Sequence, residues 1–272
     1  AEGFARKNGA TAADVRIVKT EKGEYAAVSR KEAGRPALEV LGGVVSALPG
    51  KIPFAKSMRW GAGDHAFGRP IHWMVALFGD EIVPATFAGV TTGRTTRGHR
   101  FLAPATFELR DAAAYVEALR HAHVLVDEAT RRGTMVARLE AKAGAIGGVL
   151  VPDEFLVGEN ASLVEEPQIV AGSFDPAFLE LPEEVIVAVM RGHQRYFAVR
   201  DSAGVLMNRY LCVANTANDE ALIAAGNDRV LRARLSDARF FVQEDRKKTL
   251  AERVPKLDGI VFQAKLGSVG DK

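Results

Sequence analysis

The hydrophobic pattern changes period several times along the chain, and each change predicts an element. Residues 1–9 read as the end of a helix closed by Gly9. Residues 14–30 alternate around Lys22-Gly23-Glu24, which predicts a β-hairpin. Pro36 opens a helix to about Leu48, where Pro49-Gly50 stops it. Residues 56–110 read mostly as strands. Within them the apolar run Ile71–Phe78 is expected to be a core segment, Gly79-Asp80 a turn, and Ile82–Phe87 its continuation.

Beyond residue 110 the helical period dominates. Asp111 predicts an N-cap for a helix through His121. A second helix is predicted over about Glu128–Ala145, ended by Gly147-Gly148, and a shorter one begins at Asp153. Leu181-Pro182-Glu183-Glu184 starts a helix that ends by Gly192, because proline suits the first turn and acids suit its positive end. Gln194–Arg200 and Val205–Ala214 predict a strand pair around Asp201–Gly204. Helices follow from about Glu220, with an interruption expected near Gly226-Asn227 and a stop at Pro255. No repeat and no regular strand–helix alternation is visible, so the expected class is α+β, with mixed or antiparallel sheets and packed helices. The expected domains are 1–55, 56–219 and a helical segment, 220–272.

Composition narrows the picture. The 272 residues are 47% hydrophobic and 26% charged, enough to build a core without staples. The net charge of +2 means that any basic surface must be local. The single cysteine, Cys212, excludes an internal disulfide and fits a reduced, cytoplasmic setting. No apolar run reaches membrane-spanning length. A start without Met and an end at Gly-Asp-Lys with no helix stop read as a fragment of a longer polypeptide.

Candidate chemistry gathers in three arginine-rich places. At 100° per residue, the helix over 229–246 puts Val230, Leu231, Leu235, Ala238, Phe241 and Val242 in one arc of about 140°. Arg229, Arg232, Arg239 and Arg246 fall opposite. Arg234 falls inside the apolar arc and calls for a partner such as Asp237 or Asp245, while Phe240 lies on the arginine side. Two readings stand: a helix with a solvated basic face, or one covered on both sides by protein or RNA. The second place is Gly93-Arg94-Thr95-Thr96-Arg97-Gly98-His99-Arg100-Phe101. Its donors and glycines suit phosphate or backbone recognition, and equally suit a turn whose arginines pair with acids. The third is Arg191-Gly192-His193-Gln194-Arg195-Tyr196-Phe197, where His193 between arginines suits stacking or anion binding better than catalysis. No phosphate-binding or dinucleotide loop is present. His121 and His123 lack further ligands nearby, so neither a metal site nor a catalytic residue is expected.

Together these landmarks resemble the β subunit of the bacterial heterotetrameric (α2β2) glycyl-tRNA synthetase. The resemblance runs in order through Met58-Arg59-Trp60-Gly61, Arg69-Pro70-Ile71-His72-Trp73, Thr95–Phe101, His193–Phe197, Ala214-Asn215, Gly226–Phe241, Asp245–Lys248 and Phe262–Ser268. It departs at Glu165-Glu166-Pro167, where the family more often has Glu-Trp-Pro, and at Arg239, where an acid or small residue is common. The resemblance implies a role in ATP-dependent glycylation of tRNA(Gly). It places ATP and Mg²⁺ on the catalytic α subunit and no cofactor in this chain, and it implies the α subunit and tRNA(Gly) as partners. The front portion is expected to be similar to modules of the phenylalanyl-tRNA synthetase β chain. Candidate RNA- or partner-binding residues are Arg94, Arg97, His99, Arg100, Arg191, His193, Arg195, Arg229, Arg232 and Arg239. A free-standing RNA-binding or scaffold module without a ligase role and an editing-type hydrolytic domain are the alternatives. The second is disfavoured because the smallest amino acid leaves size-based editing little to exclude.

Overall fold

A computed structural model of the chain describes residues 2–29 and 33–270. Expectations touching Ala1, Arg30–Glu32 and Asp271–Lys272 lie outside the described residues. The contacts divide the chain into two compact units, Ala1–Arg94 and Thr95–Lys272, a division different from the three expected segments.

The first unit opens with α1 (Glu2–Lys7), and Gly9 (φ +67°) lies just beyond it. The antiparallel hairpin of β1 (Val15–Thr20) and β2 (Gly23–Val28) follows. Gly23, at φ +127°, closes that turn in a conformation that side chains avoid. Pro36 precedes α2 (Ala37–Ala47), and a short 3₁₀ turn at Pro49–Lys51 ends it. The remainder is short strands: β3 (Met58–Arg59), β4 (Ala66–Phe67), β5 (Met74–Val75), β6 (Leu77–Phe78), β7 (Glu81–Ile82), β8 (Thr86–Phe87) and β9 (Val90–Gly93). β3 pairs with β4, β6 turns into β7 around Gly79-Asp80, and β9 joins parallel β5 to antiparallel β8.

The run Ile71–Phe78 is not the core segment expected. None of its residues is fully buried, and Phe78 is 52% exposed. Burial falls instead on Val83, Ala85 and Phe87, every second residue, as a half-buried extended chain requires. The buried Thr92 hydroxyl pins that stretch, donating to the Val83 carbonyl (2.7 Å) and accepting from the Ala85 N–H (2.9 Å). Apolar content located an extended region, but the bonds around Thr92 decide which part turns inward.

In the second unit β10 (Thr95–Arg97) pairs with β11 (Thr106–Glu108). α3 (Tyr115–His121) begins later than expected, because the Asp111 carboxylate caps a preceding turn by accepting from the Ala114 N–H at 2.9 Å. α4 (Glu128–Ala145) has Asp127 as its cap, β12 (Val149–Leu150) follows Gly147-Gly148, and α5 (Glu154–Ala161) is capped by Asp153. After β13 (Gln168–Ser173), α6 (Glu183–Val189) ends in a single π-helical turn, Met190–Gln194. β14 (Phe197–Arg200), β15 (Leu206–Ala214) and α7 (Glu220–Arg246) complete the centre. α8 (Leu250–Arg253) and the small hairpin β16 (Val261–Gln263) and β17 (Gly267–Ser268) follow, so the last segment is not helical throughout.

The centre is an antiparallel sheet in the order β12-β14-β15-β13 with helices on both faces. Successive strand residues point to opposite faces. Tyr210 and Cys212 therefore pack with Leu231 and Leu235 of α7 and Ile186 of α6, while Leu211, Phe197 and Val199 pack with Met135 and Leu139 of α4 and Leu156 of α5. Covering both faces explains why apolar residues of β14 and β15 are buried on either side of the sheet. The outcome is a mixed α and β fold with antiparallel and mixed sheets, in the expected class.

α7 is continuous through Gly226-Asn227, where an interruption was expected. Asn227 and Asp228 turn their side chains toward the sheet: Asn227 Nδ2 donates to Cys212 Sγ (3.1 Å), and Asp228 Oδ1 accepts from the Tyr210 hydroxyl (2.7 Å) and the Ser173 N–H (2.9 Å). These bonds outweigh the weak helix propensity of a Gly-Asn pair. Gly172 leaves the space they need, since a Cβ there would sit 2.6 Å from Asp228 Oδ1 and closer still to the Tyr210 ring.

Two glycines therefore predict opposite outcomes. Gly172→Ala overpacks the helix–sheet contact and is expected to lower stability by about 1–3 kcal/mol. Gly226→Ala adds a methyl with nothing within 4 Å, and is expected to raise stability by roughly 0.5–1 kcal/mol through helix propensity. Leu235→Ala, at a site with no exposure, is expected to cost about 2–5 kcal/mol. Urea unfolding of the three variants beside the parent chain checks all three.

Candidate nucleic-acid interface

The sharpest arginine-bearing feature is the turn after β10. Its strand alternation puts Thr96 inside (6% exposed) and Arg97 outside. Gly98 then lets the backbone pass against Ala122 and Ala103, where a Cβ would meet Ala103 Cβ at 3.1 Å and Ala122 more closely. His99 follows, fully buried. Its N–H donates to the Ala122 carbonyl (2.8 Å), and its carbonyl accepts from the Ala103 N–H (2.9 Å). Its Nδ1 accepts from the backbone N–H groups of Phe101 (3.2 Å) and Leu102 (3.1 Å). An imidazole accepting at Nδ1 carries its proton on Nε2, which faces Glu165 Oε2 at 3.6 Å. His99 is thus the internal post of the turn and not a partner-contacting residue, as the sequence reading had it. Arg100 and Phe101 project outward around it.

Arg94 belongs to the first unit. Its Nη2 donates to the Asp80 carbonyl (2.7 Å) and braces the β6–β7 turn, so part of its fork is already committed.

Arg191 and Arg195 flank the π turn. Each is held through Nε by a carboxylate of α5 or its cap: Arg191 by Asp153 (2.6 Å), Arg195 by Glu159 (3.2 Å). Arg132 donates through Nη2 to Glu154 (3.0 Å), and the Arg191 guanidinium lies 4.4 Å over the Phe155 ring. Burial alone would raise the Asp153 carboxyl, but the Arg191 bond and the Leu156 N–H outweigh it and hold it below the ordinary aspartate value. Arg195 sits in the left-handed region (φ +56°), a strained conformation for a side-chain-bearing residue, and the buried Asn160 Nδ2 donates to its carbonyl (3.3 Å). His193 is exposed on the turn. The carboxylates balance these arginines, so this face carries little net charge.

On α7, Arg229 and Arg232 are exposed and make no ion pair among the described residues. Arg234 is exposed too, not buried in an apolar arc needing an acidic partner. The buried stripe is narrower than 140°, centring on Leu231 and Leu235, and it leaves Val230 (42%), Phe240 (56%) and Phe241 (63%) exposed. Among the described residues α7 is therefore covered on one face. Arg239 lies with its guanidinium 4.9 Å over the ring of buried Phe178, so it lids the edge of the core instead of standing opposite it.

Sequence reasoning passed over two α4 arginines that tie the unit together. Arg131 donates to the carbonyls of Ala161 (2.6 Å) and Leu125 (2.5 Å). Arg138 donates to the Pro167 carbonyl (2.5 Å) and to Glu166 Oε1 (3.1 Å). They stand seven residues apart on one helical face, a spacing visible in the sequence. Glu166 also accepts from His123 Nδ1 (2.6 Å), so the acid that departs from the family pattern is fully employed. Desolvation would raise its carboxyl, but His123 and Arg138 prevail and lower it.

A groove of about 420 Å³ lies beside β12, lined by Val149, Leu150, Val157 and Phe197 and rimmed by Glu140 and Glu154. Its charged groups have the wrong sign for a phosphate. No group of three or more His, Cys, Asp or Glu side chains among the described residues is arranged to hold a metal ion.

The second unit is thus a mixed fold that turns Arg97, Arg100, Arg229 and Arg232 outward on a bonded turn and a helix face. The family model for the glycyl-tRNA synthetase beta subunit matches residues 1–272. The chain is 48% identical to the glycine–tRNA ligase beta subunit of Geobacter sulfurreducens over 273 aligned residues, covering 100% of this chain and 40% of that protein. The Geobacter metallireducens protein of the same name gives 48% with the same coverage, and that of Myxococcus xanthus 48% over 254 residues, 93% of this chain and 36% of that one. The chain belongs to the glycyl-tRNA synthetase beta subunit family, and it spans about 40% of the length of the curated relatives it matches.

The Glu166 cluster has a signed pH dependence. A lowered carboxyl contributes stability that is present above the ordinary glutamate value of about 4.3 and lost as pH falls through the lower folded value. Glu166→Gln is expected to cost about 1 kcal/mol or more at pH 7. The difference from the parent should shrink progressively in acid. Denaturant midpoints of the two proteins from pH 7 down to 3 read this directly, and a gap that stays constant contradicts it. Arg234→Ala, by contrast, should fall within about 0.5 kcal/mol of the parent.

Proposed function

We propose that this chain is the part of a glycine–tRNA ligase β subunit that engages tRNA(Gly) and supports the catalytic α subunit in ATP-dependent glycylation. The observation that carries the proposal is the β10 turn. It holds Arg97 and Arg100 outward on a backbone fixed by buried His99, in a chain whose whole length matches the family. An arginine on a fixed backbone loses less freedom on binding phosphate than one on a mobile loop. Arg229 and Arg232 on α7 and His193 on the π turn are secondary contacts for RNA or for the α subunit. ATP and Mg²⁺ act on the α subunit, the setting is cytoplasmic, and the likeness to modules of the phenylalanyl-tRNA synthetase β chain stays part of the same proposal.

Two measurements test it. Binding of tRNA(Gly) by the chain should weaken with rising salt, and Arg97→Ala with Arg100→Ala should make the log–log salt slope shallower by about one per lost phosphate contact, roughly 0.7–0.9 each. An unchanged slope and affinity would remove the phosphate role. The chain alone is expected to show no glycine-dependent pyrophosphate exchange, and its appearance without the α subunit would place chemistry here that the proposal assigns elsewhere.

A further inference from the structure

Phe101 is 66% exposed on a turn of the second unit that is held by side-chain and backbone hydrogen bonds. Its own backbone N–H is held by His99 Nδ1, and the bonds from Ala103 and to Ala122 fix the chain on either side. The ring is therefore presented, not merely left outside. The Arg100 guanidinium lies 5.9 Å from its centroid, and Arg97 is exposed on the strand just before. Between Val83 and Phe107 the sequence has no Asp or Glu, so the neighbourhood along the chain is positive and aromatic.

We propose that Phe101 is a stacking platform for an unpaired nucleobase, with Arg97 and Arg100 holding the phosphates beside it, so that RNA is engaged at a single-stranded stretch and not along a duplex. This rests on the tRNA-binding reading above and goes beyond it. Every base has a π face, but only an unstacked base can offer it, since in an A-form helix those faces are occupied by neighbours. A ring on a preordered turn receives such a base without first paying to order itself. Arginines beside it supply the sequence-independent part of binding. A protein partner would find a single exposed ring with the Arg100 guanidinium beside it, not the apolar patch ringed by polar groups that typifies a docking core.

The test uses the chain with Phe101→Leu, Phe101→Tyr and Phe101→Trp. The probes are a short labelled single-stranded oligoribonucleotide, a blunt RNA duplex of the same composition, and tRNA(Gly). Unchanged thermal midpoints are expected, because the side chain is exposed. Phe101→Leu should weaken single-strand binding by about tenfold and leave duplex binding alone. Phe101→Tyr should stay close to the parent, and the indole of Phe101→Trp should be quenched by the single strand. If Phe101→Leu binds like the parent while Arg97→Ala and Arg100→Ala weaken binding, the platform is wrong and the tRNA-binding reading survives. Absence of RNA binding by the parent overturns both. If Phe101→Leu loses association with the α subunit but keeps RNA affinity, the ring is a protein contact and the proposal fails.

Discussion

The second unit depends on the fit of α7 against β13 and β15 across Gly172. A helix can bury only a stripe of its surface, and this stripe must also carry two polar residues, Asn227 and Asp228, into the contact. Their burial would be costly without partners. Asp228 finds the Tyr210 hydroxyl and the Ser173 N–H, and the Tyr210 ring stacks on Tyr196 with centroids 4.4 Å apart. Burial, with Asp228 adding to it, pushes the Tyr210 phenol up, so the ring stays a neutral donor at any working pH. Burial likewise pushes the Cys212 thiol up to about 11, which makes it a packing group and not a nucleophile. The same contact fixes the axis of α7 and so the direction in which Arg229 and Arg232 stand.

What was legible in the sequence was what local chemistry decides. Asp153 starts a helix because its side-chain oxygen can reach the free Leu156 N–H three residues on, and Gly23, Gly79 and Gly147 turn the chain where a positive φ is needed. What was not legible was set by partners distant along the chain. Arg234 and Arg239 differ by five residues and by little in type, yet one is solvated and the other lies on Phe178, a residue some sixty positions away. The run Ile71–Phe78 failed for the same reason: apolar content says that a segment tends inward, while the bonding around Thr92 chooses Val83–Phe87. The family resemblance was readable from spacing and order, because order survives where local pattern is ambiguous.

The arginines sort into two physical kinds. Arg131, Arg132, Arg138, Arg191 and Arg195 are held by carboxylates or carbonyls and serve cohesion. Exposed pairs of this sort contribute little individually, but each fixes a helix or turn against its neighbour, and the charge of the four that meet a carboxylate is largely cancelled. Arg100, Arg229 and Arg232 are exposed and uncompensated by a bonded acid among the described residues, so their field reaches solvent. A chain with 36 Lys and Arg against 34 Asp and Glu can thus carry local positive features, because its acids pair with some cations and leave others exposed.

The β10 turn shows how one short motif serves both purposes. In Arg97-Gly98-His99-Arg100-Phe101 the inward members are the glycine, which permits contact with Ala122, and the histidine, which replaces the hydrogen bonds that a tight turn leaves unmade. The outward members are two cations and a ring. Exchanging the roles is not possible: a side chain at position 98 would collide with Ala122, and a solvent-facing His99 would abandon two part-buried N–H groups. Fixing a turn costs conformational entropy for each residue held, and here intramolecular bonds meet that cost during folding. A ligand that meets the finished turn therefore loses less on binding than one that must order it, which is the physical reason to place recognition on this turn.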